Sequence, residues 1–123
     1  YLIKSKGSIL NLSSVGATHR AANLSMYVDA KAAVENFTRV WAIELASKGV
    51  RVNAIAPGYM ETKLTSDMKA KNPDQYEEVT ARIPMHRWGK AEDLAGITVF
   101  LASDAAEYIT GAVIPVDGGY LAK

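Results

Sequence analysis

A parallel α/β layer is the architecture that this 123-residue sequence predicts. Three short apolar stretches, at residues 7–13, 50–56 and 113–116, are rich in aliphatic side chains and bounded by glycine or proline. Two longer stretches with helical periodicity, at 27–47 and 90–103, fall between them. Strands apolar at almost every position are buried on both faces, and strands that alternate with helices pair in parallel.

Residues 7–13 form the first strand, entered through Gly7 and carrying Ile9, Leu10 and Leu12. Residues 15–26 include Gly16, Thr18, Asn23 and Ser25 with no steady period, and read as a loop. A long helix follows over 27–47. Val34, Phe37, Trp41 and Leu45 make one apolar stripe, and Glu35 with Arg39 is an i,i+4 ion pair. Val40 and Ile43 widen the apolar surface, so this helix is expected to bury two faces. Lys48-Gly49 ends it with a cation and a glycine. The second strand, 50–56, stops at Pro57-Gly58.

Residues 59–88 turn polar and irregular, with Lys69, Lys71, Asn72-Pro73-Asp74, Glu77 and Glu78, and read as short helices with a mostly solvated charge pattern. Met60, Met68 and Met85 flank this lid, and methionines at such places fill gaps more often than they line a pocket. Residues 90–103 form a further helix with Glu92 and Asp93 in its first turn and Leu94, Ile97 and Leu101 on one face. The third strand, 113–116, closes in an Asp117-Gly118-Gly119 turn.

Composition narrows the partners. A chain with 49% hydrophobic and 22% charged residues has an ordinary globular balance and can build a core. A net charge of +1 gives no reason to expect nucleic acid or an anionic membrane. The absence of cysteine excludes a disulfide framework and a thiolate metal site, and suits a cytoplasmic setting. His19 and His86 have no partner at metal-ligand spacing, so no metal site is expected. No apolar run approaches the ~18 residues of a membrane span, and the opening Tyr1-Leu2-Ile3-Lys4-Ser5-Lys6 has no long apolar core of the secretory kind.

The chemistry is carried by Ser14, Tyr27 and Lys31. Tyr27 lies thirteen positions after Ser14, and Lys31 four after Tyr27. On a helix, positions i and i+4 share a face, so the ammonium can stand beside the phenol. A free phenol is too weak an acid to act as a base near neutrality, and a cation fixed next to it favours the phenolate. A serine hydroxyl held at the strand end could polarise the same carbonyl by hydrogen bonding. A tyrosine and a lysine four apart also occur often by chance, as a surface ring packed on a lysine stem.

Three further features give the pair its meaning: Asn11-Leu12-Ser13-Ser14 after a strand, Asn53-Ala54-Ile55-Ala56-Pro57-Gly58 downstream, and Pro115-Val116-Asp117-Gly118-Gly119 near the end. With them the chain closely resembles the short-chain dehydrogenase/reductase family from about Gly7 to Gly119. The resemblance implies the C-terminal half of a doubly wound parallel-sheet, Rossmann-type fold. It implies an NAD- or NADP-dependent oxidoreductase in which Tyr27 moves the proton, Lys31 assists it and binds the ribose hydroxyls, and Ser14 orients the substrate oxygen. Tyr27, Lys31, Pro57, Gly58, Met60 and Thr62 would be the cofactor-binding set. Gly58 would let the protein backbone approach the cofactor closely, a main-chain N–H near Met60 would meet the carboxamide, and the Thr62 hydroxyl would hydrogen-bond nearby.

The family's glycine-rich dinucleotide turn, its Asn-Asn-Ala-Gly segment and the catalytic asparagine of its fourth helix have no match here. Residues 1–123 are therefore expected to be a single partial domain, the catalytic half without the dinucleotide-binding half. The competing expectation is a catalytically incompetent fragment that serves only for assembly. The resemblance further implies a small alcohol or carbonyl substrate and a homodimer or homotetramer. The lid composition leaves sugar acids, steroids and acyl chains open as substrates, and the tail resembles the family's sugar-acid dehydrogenases and acyl-carrier reductases alike. A hydrolase built on Ser13-Ser14 lacks the G-x-S-x-G elbow.

Overall fold

The computed structural model describes residues 1–19 and 22–123. Three parallel strands, β1 (Ser8–Leu12), β2 (Arg51–Pro57) and β3 (Val113–Val116), lie side by side in chain order. Helix α2 (Ser25–Ala46) connects β1 to β2. Helices α3 (Lys63–Lys71), α4 (Pro73–Arg82) and α5 (Ala91–Ala102) lie between β2 and β3, and a one-turn helix, α1 (Leu2–Ser5), precedes β1. The parallel α/β layer expected from the sequence is present. β2 is the central strand and is almost wholly buried from Val52 to Ala56.

The two long helices cover opposite faces of the sheet. On one face the Asn11 side-chain amide donates to Thr38 Oγ1 of α2 (2.9 Å). On the other, Ile55, Leu101 and Ala106 form a cluster with Leu10, Leu94, Ile97, Ile109 and Ile114. The expected face of α5 is thus the one that packs. Arg51 closes the end of that helix, its guanidinium donating to the carbonyls of Leu101 (2.8 Å) and Ser103 (3.1 Å).

Two features add to these expectations. The side of α2 that meets the sheet is small or polar, with Val28, Thr38 and Ala42 buried. Phe37 and Trp41 of the expected stripe, and Val40 and Ile43 beside it, are 54, 40, 49 and 80% exposed in the single chain. A helix lying close on a sheet needs small side chains at the contact, so the bulky ones face away from it. The helix also begins at Ser25, inside the stretch expected to be loop, and Val15–Ala17 within that stretch form a 3-10 turn. Arg20 and Ala21 of the expected loop lie outside the described residues.

Residues 59–88 form the short helices expected of them, α3 and α4, and also a second core. Ile83 and Trp88 are each 1% exposed and form a second core with Val15 and Tyr120, against which Tyr59, Met68, Tyr76 and Val79 pack. The Tyr76 ring stacks on Trp88 at 4.7 Å, and the Trp88 indole N–H donates to Thr80 Oγ1 (2.9 Å). Truncating such a core aromatic typically costs about 3–5 kcal/mol, so this cluster holds α3 and α4 as a folded unit.

Candidate active site

Ser14 follows the carboxyl end of β1, and Pro57-Gly58 ends β2, so both stand on the rim where open α/β sheets bind ligands. Tyr27 sits in the first turn of α2 and is half exposed. Lys31 lies one turn along the same face. Its ammonium is 5.9 Å from the centre of the Tyr27 ring and donates to the carbonyl of Leu12 (3.0 Å). The last carbonyl of the edge strand therefore steers the lysine toward the sheet rim.

A polar seam locks α2 in this register. Ser13 is buried, and its hydroxyl lies 3.0 Å from Glu35 Oε1 and 3.3 Å from the Lys31 carbonyl. Glu35 also accepts from Arg39 at 3.4 Å, the ion pair expected from the sequence. The Ser14 hydroxyl oxygen accepts the N–H of Gly16 (3.0 Å), capping the short turn and leaving its own O–H free to donate toward a ligand.

Gly16 is a site residue that sequence reasoning treated as loop. A Cβ built on it would stand 3.0 Å from Tyr27 Cε1 and 3.3 Å from Ser14 Oγ. A side chain here would crowd both the serine and the tyrosine. No local signal marks this glycine, because the ring it accommodates is eleven positions away.

Two cavities meet at this point. One, of about 330 Å³, is lined by Leu12, Lys31, Pro57, Glu61 and Leu94 among others. The second, of about 290 Å³, runs under α3 past Leu24, Tyr59, Thr65, Trp88, Tyr120 and His19. Ser14, Tyr27, Gly58, Met60 and Thr62 line both, and so form the wall between them. All six expected cofactor residues border the first cavity.

Several of these residues also have structural work. A Cβ on Gly58 would lie 2.8 Å from the Asp117 backbone, so this glycine is required by the turn after β3 whatever binds beside it. Asp117 in turn accepts the N–H groups of Gly119 and Leu121 (both 2.9 Å). Thr62 caps α3 reciprocally with Thr65. Met60 is bracketed by hydrogen bonds from Gly89 N–H to Tyr59 (2.9 Å) and from Glu61 N–H to Gly89 (2.7 Å). Its own N–H has no partner among the described residues.

Asp93 stabilises the segment carrying Gly89. It takes a two-pronged hydrogen bond from Arg87 (2.7 and 2.9 Å) and another from the Lys90 N–H (2.7 Å). These donors hold its carboxyl well below the usual carboxylate range. In the lining of the second cavity, burial pushes the Tyr120 phenol up, and its hydroxyl has no hydrogen-bond partner among the described residues.

Comparison with known proteins places this geometry in context. The family described as enoyl-(acyl carrier protein) reductase matches residues 1–121. The 3-oxoacyl-[acyl-carrier-protein] reductase of Thermotoga maritima is 44% identical over 97% of this chain and 48% of its own length. The 2-dehydro-3-deoxy-D-gluconate 5-dehydrogenase of Dickeya dadantii is 44% identical over 95% of this chain and 46% of its own. A crystal structure from Agrobacterium tumefaciens, assigned as a 2-deoxy-D-gluconate 3-dehydrogenase and holding NADP, superposes with a TM-score of 0.93. It is 41% identical and is covered over 50% of its length, against 99% of this chain. The chain thus spans about half the length of the curated relatives it matches.

Proposed function

This chain belongs to the short-chain dehydrogenase/reductase family, and from that membership we propose that it carries the catalytic half of an NAD- or NADP-dependent oxidoreductase. The reaction is the interconversion of a secondary alcohol and a carbonyl. The observation that carries this reading is the wall of Ser14 and Tyr27 between two cavities, because such a reaction needs cofactor and substrate on either side of one proton donor.

The first cavity fits a nicotinamide: it has apolar walls in Leu12 and Leu94, an ammonium in Lys31, and beside it the unpartnered N–H of Met60. When bound, that ring supplies or takes up a hydride at the substrate carbon. In reduction, the Tyr27 phenol gives its proton to the carbonyl oxygen, and in oxidation it recovers that proton from the alcohol. The Ser14 O–H donates to the same oxygen and stabilises the charge that develops there. Lys31 would bind the ribose hydroxyls, and Pro57, Gly58 and Thr62 would complete the cofactor wall. Solved relatives that hold NADP support the cofactor class.

A small alcohol or carbonyl compound is the substrate in this reading. Among the described residues no helix is long and apolar enough to cross a membrane, and a cytoplasmic setting fits the lack of cysteine. The bulky outer face of α2 makes a homodimer or homotetramer the expected assembly. Carried in its complete reading frame, the protein should oxidise secondary alcohols or reduce ketones with NADH or NADPH. Tyr27→Phe should lower kcat by about 10²-fold or more with KM little changed. Turnover of Tyr27→Phe at the wild-type rate would overturn the assignment.

A further inference from the structure

The second cavity has a charge character that the proton-transfer reading does not use. Among the described residues no carboxylate lines it. Arg82, in the last turn of α4, contacts two residues of its lining: Nη2 lies 3.0 Å from His19 Nε2, and the guanidinium carbon is 5.3 Å from the centre of the Tyr120 ring. His19 and Tyr120 are both lining residues. A guanidinium can only donate, so His19 Nε2 accepts and the imidazole keeps its N–H at Nδ1. Arg82 has no carboxylate within 4.0 Å among the described residues, and the remaining donors of its planar fork are unclaimed. A fork held over an aromatic face, in contact with two lining residues, suits a planar or tetrahedral oxyanion.

We propose that this cavity takes a hydroxy or oxo compound bearing an anionic group, which Arg82 receives at the rim while Ser14 and Tyr27 receive the reacting oxygen. The proposal rests on the oxidoreductase reading of Tyr27. Carboxylate and phosphate share the required chemistry, and three six-carbon polyol probes distinguish them from neutral ligands: gluconate, glucitol 6-phosphate and glucitol.

Calorimetric titration of the protein should show at least one of the two anions binding about tenfold or more tighter than glucitol, the size of one charge-assisted hydrogen-bonded contact. The anion with the larger preference identifies the group. Arg82→Gln should reduce that preference below about threefold. Arg82→Lys, which keeps the charge and loses the fork, should retain part of it and controls for folding. Equal binding of all three probes, no binding of any, or a preference that survives Arg82→Gln would overturn the proposal. A preference abolished by Arg82→Gln together with undiminished turnover of Tyr27→Phe would instead overturn the oxidoreductase reading and leave the anion site standing.

Discussion

At the scale of single residues, Gly16 shows how tightly the proposed site is built. Its missing side chain leaves room for the Tyr27 ring and the Ser14 hydroxyl, both of which a Cβ would approach within 3.4 Å. Its backbone is not left-handed, so alanine there introduces crowding without dihedral strain. Tyr27 is half exposed and can yield by a few tenths of an ångström. Gly16→Ala should therefore change stability by less than about 1 kcal/mol, yet displace the phenol oxygen enough to cut kcat about tenfold or more. Paired urea melts and steady-state kinetics check this, and a variant with unchanged kcat would show that the ring tolerates the crowding. The approach of Lys31 to Tyr27 was legible in the sequence because helix periodicity is local. The Gly16–Tyr27 contact and the His19–Arg82 bond were not, since a loop residue meets distant partners only when the chain folds.

At the scale of elements, α2 divides its two sides by size. The sheet side uses Thr38 and Ala42, and the opposite side carries Phe37, Val40 and Trp41, with the Phe37 and Trp41 rings 5.7 Å apart. Apolar periodicity marked these bulky residues as a face to be buried but could not say against what. A row of large exposed side chains on one helix is the pattern of a self-complementary contact across a two-fold axis. Light scattering at micromolar concentration should give the mass of a dimer or tetramer, and Trp41→Glu should shift it toward monomer. A wild-type chain that stays monomeric would refute assembly through this face.

At the scale of the whole molecule, the three strand ends, the α3–α4 unit and the Asp117 turn converge on one rim, while the nine glycines include no dinucleotide fingerprint. The phosphates of a dinucleotide would find no glycine-rich strand-to-helix turn within residues 1–123. These residues alone should therefore bind NADPH no more tightly than about millimolar, measured by calorimetry or by nicotinamide fluorescence. A low-micromolar Kd would mean that the chain itself supplies a phosphate site.

The sequence by itself determined the alternation of strands and helices, the parallel sheet, the face of α5 and the spacing of serine, tyrosine and lysine. Each of these rests on periodicity or on breakers within a few residues of one another. Only the tertiary structure decided which side of α2 meets the sheet and that residues 59–88 build a second core. Only it decided that one wall of side chains separates two cavities. Tyr59, Tyr76, Ile83, Trp88 and Tyr120 have no common period, and they form a cluster because the strand ends bring them together. Burial depends on what the rest of the chain places opposite a residue, and that is a property of the fold.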